Sequence, residues 1–368
     1  MKWGTMMIIH SSAARAGQVL AADLFGRTNH PMIRKNTVLT AEHLDILSLF
    51  IIKEIEILSD TSDKKQAADP NSQKSQLTPD NPSKMHSHFL TLYKEAVKQY
   101  KVLFTNWEAG APIDALSLRK AIVHVVEKGM DHPGEISNMQ QITNRDDYLA
   151  YHAVSLAVFS AFIARRLGYP RGECLQIGMA GALCDCGMSR ISPAILKKKG
   201  PLNPQELKEM KQHSIHGYNL LKKLPAIKEG VLLGVLQHHE REDGSGYPLK
   251  VPGSKLHPYS RILAVADVYI AMTSERSYRT KLSPFKVIEL MMKDQFGQFD
   301  PGIIRVITDG LTIFSAGSKV RLSNGQIGLI VFKEDSYPTR PIVQLHQSED
   351  IISLMERKDL YIEETLYY

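Results

Sequence analysis

Much is scarce in this chain, and each scarcity excludes something. Cysteine is rare: Cys174, Cys184 and Cys186 are the 3 in 368 residues. They are too few for a disulfide framework and point to a reducing cytoplasm. No apolar run approaches the roughly 20 residues that a membrane span needs. The amino terminus, Met-Lys-Trp-Gly and a short apolar run, carries no small-residue cleavage site of a signal peptide. Net charge is +6. No arginine-rich run or nucleic-acid motif accompanies it, so it suits an anionic ligand and argues for no nucleic acid polymer. Neither a βαβ alternation nor an internal repeat is visible.

The bulk composition is that of an ordinary soluble protein, 43% hydrophobic and 23% charged. The length predicts two or three domains with a substantial core. Residues 1–58 read as a small α+β module. In it Val19–Phe25 and Met32–Leu39 are strands around the Asn29-His30-Pro31 turn, and a helix starts at Thr40. Residues 59–86 have almost no large apolar side chain and read as a flexible polar linker. Residues 87–312 follow helical periodicity, with a core at 140–310. The predicted helices include Ile113–Val126, Asp147–Leu167, Cys174–Cys186, Pro193–Lys199, Pro204–Lys223, Gly230–Glu240, Pro258–Glu275 and Ser283–Lys293. Residues 315–366 change pattern. The Asn324-Gly325 turn between two apolar runs predicts a hairpin, Pro341–Leu345 a third strand and Asp359–Glu363 a fourth, as in a small β-barrel-like module. The fold class is mainly α, an all-helical domain flanked by two small modules.

The chemistry concentrates in Gln237–Pro248, QHHEREDGSGYP. An apolar run, Gly230–Leu236, leads into it, and the adjacent His238 and His239 end that helix before Gly244, Gly246 and Pro248. Neighbouring helical positions point about 100° apart, so two adjacent histidines address two nearby points. The plain alternative is a polar helix end whose histidines are favoured by the helix dipole. Four further candidates sit on predicted helices: His152, Asp185, His213 and Asp267. Asp267 lies alone in the apolar run Ile262–Met272, and a buried carboxylate needs a partner charge or a metal. Taken singly, His152 and His213 read as satisfied core histidines. Six nitrogen and oxygen groups gathered by packed helices suit a divalent metal pair, with an aspartate bridging. Such a pair suits phosphodiester hydrolysis.

The order His152, Asp185, His213, His238-His239 with GSGYP, then Asp267 followed by TSERSYR, resembles the HD-GYP family of metal-dependent phosphohydrolases over about residues 140–310. The resemblance implies an HD-type helical fold, a bimetal centre of iron, manganese or zinc, and hydrolysis of cyclic di-GMP to pGpG or GMP. It implies that His152, Asp185 and Asp267 hold one metal, and His213, His238 and His239 the other, with Asp185 bridging as the key catalytic carboxylate. It also implies that Arg276 and Arg279 hold ligand phosphates and that Tyr247 of the GYP turn meets the substrate. For the two arginines the plain alternative is a solvated helix end. A signalling protein docking on the GYP loop or the terminal modules is the other partner implied; nothing speaks to oligomeric state.

The departures concern the same centre. The family's His-Asp-x-Gly-Lys stands here as Cys184-Asp185-Cys186-Gly187-Met188. Cys184 either completes a zinc-like set with His152, Asp185 and Asp267, or is a buried apolar thiol, leaving a single metal. Met188 removes the lysine that faces the substrate phosphate. Tyr148 stands where some members carry a glutamate for a third metal, so no third metal is expected. Two function classes follow: a weak phosphodiesterase, or a catalytically degenerate sensor that binds a nucleotide or a protein.

Overall fold

The structure, a computed structural model, describes residues 5–10, 14–15, 17–25, 31–33, 35–40, 54–59, 82–139, 147–275, 281–293, 297–312 and 316–366. The chain divides into two compact units, Met1–Thr78 and Pro79–Tyr368.

In the first unit, β1 (Thr5–His10) and β2 (Val19–Leu20) both pair antiparallel with β5 (Glu54–Ser59). A short pair, β3 (Leu24–Phe25) and β4 (Pro31–Ile33), stands beside them. The predicted strand Val19–Phe25 is thus two pieces. Leu20, Leu39, Ile55 and Ile57 form this unit's small core. The predicted helix after Thr40 and nearly all of the predicted linker lie outside the described residues.

The second unit opens with α1 (Pro82–Glu108), α2 (Ala115–Asp131) and α3 (Pro133–Met139). Phe89, Tyr93, Ala96, Val97, Tyr100, Phe104 and Trp107 form one buried stripe on α1, the spacing of an amphipathic helix. The central element is α4 (Tyr148–Arg166), which is buried all round from Ala150 to Ala164 except at Tyr151. It is long and apolar enough to cross a membrane, contrary to the expectation above, but 78% of that window is buried inside the protein. A helix apolar on all sides is what the middle of a helical domain requires. Against it pack α5 (Arg171–Leu183), α9 (Glu229–Gln237), α10 (Pro258–Thr273), α11 (Pro284–Lys293) and α12 (Pro301–Leu311), directly or through one another.

Between α5 and α9 the chain makes a 3-10 turn (Cys186–Arg190), then α6 (Pro193–Leu196), α7 (Pro204–Met210) and α8 (His213–Leu221). Asn203 and Glu206 form a capping box that starts α7. The single helix expected over Pro204–Lys223 breaks at Lys211–Gln212. The His213 ring takes the Met210 carbonyl at 2.8 Å, the acceptor that a continuous helix would pair with the amide four residues on.

The carboxy-terminal segment forms a five-stranded antiparallel sheet, β10-β6-β7-β8-β9, with β6 (Lys319–Leu322), β7 (Ile327–Phe332), β8 (Ile342–Leu345), β9 (Ile351–Ser353) and β10 (Ile362–Leu366). It is open, not a closed barrel: β9 and β10 are its two edges, and β9 is only three residues long. One face of the sheet covers α11. Phe285 joins the sheet's core, the Ser283 hydroxyl donates to the Ile362 carbonyl at 2.6 Å, and Arg340 pairs with Glu289 at 2.5 Å.

Candidate metal centre

Helix ends bring the cluster together. His152 projects from the first turns of α4, and Asp185 follows the end of α5. His213 opens α8, His238 and His239 follow the last residue of α9, and Asp267 lies within α10. Gly187 makes the approach between the 3-10 turn and α8 possible. A methyl group there would collide with the His213 carbonyl and the Gly217 amide, so a side chain would push Asp185 away from His213. Gly246 does the same for the turn after α9, where a Cβ would sit 2.5 Å from the His239 carbonyl.

The Asp185 carboxylate is divided between two groups of imidazoles. Its Oδ1 faces His213 Nε2 at 3.5 Å and His238 Nε2 at 4.0 Å, while Oδ2 faces His152 Nε2 at 3.7 Å. Asp267 is divided likewise: Oδ1 lies 3.0 Å from His152 Nε2 and Oδ2 lies 3.5 Å from His239 Nδ1. Among the described residues, donor atoms of Asp185, His213, His238 and His239 all lie within 4.8 Å of one another. Ligands on a common ion with bonds of about 2.1 Å lie roughly 3–4 Å apart. The 4.8 Å spread is wider than that by about an ångström, so these side chains would close in slightly to hold a divalent metal.

The tautomers argue the same way. His213 Nδ1 lies 2.8 Å from the Met210 carbonyl and His238 Nδ1 lies 2.7 Å from the Val235 carbonyl. A carbonyl only accepts, so both Nδ1 atoms carry the proton and both Nε2 atoms turn toward the cluster. Those two Nε2 atoms are 3.2 Å apart. When both rings are neutral, two lone pairs face each other with no proton between them, and a cation placed beside them resolves the conflict. Burial first, and the neighbouring His213 second, push His238 down to about 4. Burial and then His238 push His239 well below the ordinary imidazole range. Both rings are thus neutral near pH 7, the form that ligates metals. The plain alternative of charged histidines favoured by a helix dipole does not fit that state.

His152 is held differently. Its Nδ1 meets the Tyr148 hydroxyl at 3.2 Å, and the two rings stack with centroids 5.3 Å apart. Burial alone would raise Asp267, but the His152 hydrogen bond and the nearby His239 outweigh it and keep the carboxylate ionised. Cys184 is buried at the end of α5 and stands outside the four-residue group. Burial, then the Asp185 and Asp267 carboxylates, push its thiol well above the ordinary range, so it is a protonated thiol near neutral pH. Met188 is partly buried against the main core.

Tyr247 stacks on His239 with centroids 4.6 Å apart, and burial plus the two aspartates keep its hydroxyl protonated. Arg276 and Arg279 lie outside the described residues. Several neighbours were not read from the sequence. Glu240 is fully buried and accepts the Leu249 and Lys250 amides, pinning the turn after GYP. Arg241 covers the Phe299 ring at 4.9 Å and donates to the Glu240 carbonyl. The side-by-side histidines and the alternation of acids and bases in HHERED were the available signals, but they do not say which way each side chain turns.

Residues 134–303 match the family model described as HD domain. The helical domain is an HD domain. Its HHE-to-GYP segment resembles the HD-GYP branch, and its relatives are cyclic-dinucleotide phosphodiesterases. It is 28% identical over 244 residues to a cyclic di-GMP phosphodiesterase, PA4108, of Pseudomonas aeruginosa, covering 66% of this chain and 59% of that protein. It is 35% identical over 153 residues to the cyclic di-GMP phosphodiesterase response regulator RpfG of Xanthomonas campestris, covering 41% of this chain and 40% of the relative. It is 30% identical over 169 residues to a 3'3'-cGAMP-specific phosphodiesterase of Vibrio cholerae, covering 46% of this chain and 36% of the relative. The chain thus spans less than two thirds of each of these proteins. Among solved structures, Bd1817, a HDG"Y"P protein from Bdellovibrio bacteriovorus, aligns with a TM-score of 0.51 at 17% identity, over 83% of this chain and 99% of that one, a likeness of fold.

Proposed function

We propose that this chain is a metal-dependent phosphodiesterase that hydrolyses cyclic di-GMP or a related cyclic dinucleotide to a linear product. One observation carries the reading: a single carboxylate, Asp185, turns one oxygen to His213 and His238 and the other to His152. A carboxylate shared in that way suits two ions, with His152, Asp185 and Asp267 on one side and His213, His238 and His239 on the other. Divalent metals held there supply Lewis acidity toward a phosphodiester and lower the pKa of water. The chain's own residues do the rest. The four imidazoles and two carboxylates orient the centre. Tyr247, packed on His239, offers a flat face to a base or sugar. Arg276 and Arg279 are assigned to the phosphates through the charge-assisted hydrogen bonds that guanidinium favours. The flanking small modules (1–58 and 315–366) and the GYP loop suit a cytoplasmic signalling protein with a protein partner.

The test is metal content of the purified chain together with cyclic di-GMP hydrolysis under added iron, manganese or zinc. Bound metal with turnover supports the enzyme; metal-free protein that neither binds nor cleaves the nucleotide overturns it. A second reading, a sensor that binds without cleaving, is favoured by two observations: Cys184 stands outside the four-residue group, and Met188 offers no donor. Under that reading Cys184→His combined with Met188→Lys creates turnover in an inert parent. A parent with robust turnover rules the sensor out.

A further inference from the structure

The break between α7 and α8 has a second consequence. It directs Lys211, two residues before His213, over the face of Tyr247, with Nζ 5.0 Å from the ring centroid. Tyr247 in turn stacks on His239 at 4.6 Å, and His239 Nδ1 faces Asp267 at 3.5 Å. An exposed ammonium, a phenol ring and an imidazole therefore form one column that leads from solvent into the cluster.

We infer that Lys211 is a substrate-binding residue, the cation that receives a phosphate of the incoming nucleotide at the mouth of the centre. The inference rests on the proposed function above. Four observations support it. First, Lys211 has no carboxylate partner among the described residues, so its charge is not already spent. Second, the contact it does make is a weak one. An exposed cation–π contact is worth less than a charge-assisted hydrogen bond to phosphate, so the ammonium gains by leaving the ring for an anion. Third, Arg241, a nearby cation that acts electrostatically on Asp267 and Tyr247, is committed elsewhere: it is mostly buried, covers Phe299 at 4.9 Å and donates to the Glu240 carbonyl at 2.8 Å. Fourth, Met188 in the 3-10 turn against α8 offers neither charge nor donor, and the cation of that turn, Arg190, donates to the Trp107 carbonyl at 3.2 Å. The four-carbon stem of a lysine supplies the reach that this position needs.

The experiment compares the full-length parent with Lys211→Gln and Lys211→Arg, measuring metal content, the Kd for cyclic di-GMP and the steady-state KM and kcat. Lys211→Gln should weaken Kd and raise KM about ten- to a hundredfold. Its kcat should stay near that of the parent, the pattern of a contact made equally in ground and transition states. Metal content should be unchanged, and Lys211→Arg should recover most of the affinity. The difference between parent and Lys211→Gln should shrink as salt is raised, because the contact is exposed. A Lys211→Gln protein with the parent's Kd and KM overturns the inference while leaving the phosphodiesterase reading intact. Loss of metal in Lys211→Gln also overturns it, because the residue would then act by positioning His213. A parent that binds no cyclic dinucleotide overturns both the function and the inference.

Discussion

The two halves of the centre are built on different hydrogen-bond logic. In one, His213 and His238 are fixed by backbone carbonyls, which accept and never donate, so their Nε2 atoms are committed to the cluster. In the other, His152 is held by the Tyr148 hydroxyl, which can donate or accept, and by the Asp267 carboxylate. The first half is pre-set for a cation. The second can satisfy itself internally, with a proton on Nε2 shared toward Asp267, and it must shift that proton before it can ligate. Cys184, the altered residue read with His152, Asp185 and Asp267, belongs to the self-satisfied half.

The largest expected effect comes from removing what the halves share. Asp185→Asn should cut turnover by about 10³ or more and lower metal content on both sides, since one preorganised electrostatic group alone is worth roughly 10²–10³. Unchanged turnover would break the comparison outright. Asp267→Asn should be more selective, sparing the metal held by His213 and His238.

Repair of the weaker half comes next. Met188→Lys, made together with Cys184→His, should raise kcat by about 10², read from initial rates at saturating nucleotide. No gain would place the deficit outside this half.

Acid should weaken the pre-set half when metal is absent. His238 is held at about 4 in the folded protein against 6.5 unfolded. The unfolded chain therefore takes up this proton first as pH falls. Stability is fully present above pH 6.5, drops through the interval down to pH 4, and loses about 3 kcal/mol across it. Denaturant melts in chelator at pH 7 and pH 4.5 measure the drop, and His238→Gln should reduce it, leaving the part that His239 contributes. An equally steep drop in His238→Gln would assign it to another group.

The smallest effect separates the halves most cleanly. Tyr148→Phe removes the hydroxyl that sets the His152 proton. It should weaken metal binding by about tenfold at that half alone, leaving the stronger site's chelator titration unchanged.

The six clustered side chains were legible because their chemistry conflicts with their surroundings: Asp267 in an apolar helix, or two histidines before a turn. Directions were not legible. Adjacency of His238 and His239 says that two points are addressed, but only the fold shows one ring turned to His213 and the other to Asp267. Tyr148 reads from the sequence only as the residue in place of a third-metal glutamate, and Lys211 has no reading there; the parts given to the hydroxyl and the ammonium arise from neighbours brought close by folding. The break in Pro204–Lys223 escaped because no proline or glycine stands at Lys211–Gln212 to mark it. By contrast α12 had readable signals, an Asp300 cap with Pro301 at its first position, and β9 had almost none in its three residues. The open sheet differs from the barrel expected because closure depends on pairing of the edges, which strand spacing alone does not specify.

The contact between β10 and α11 sets a schedule for synthesis. Phe285 and Glu289 of α11, and Ser283 just before it, emerge from the ribosome long before their partners Ile362 and Arg340. Until β10 and Arg340 arrive, the nascent helical domain carries the Phe285 ring uncovered and the Glu289 carboxylate with Lys286 beside it. A chain stopped before residue 340 would therefore leave that raw face to chaperones and proteases.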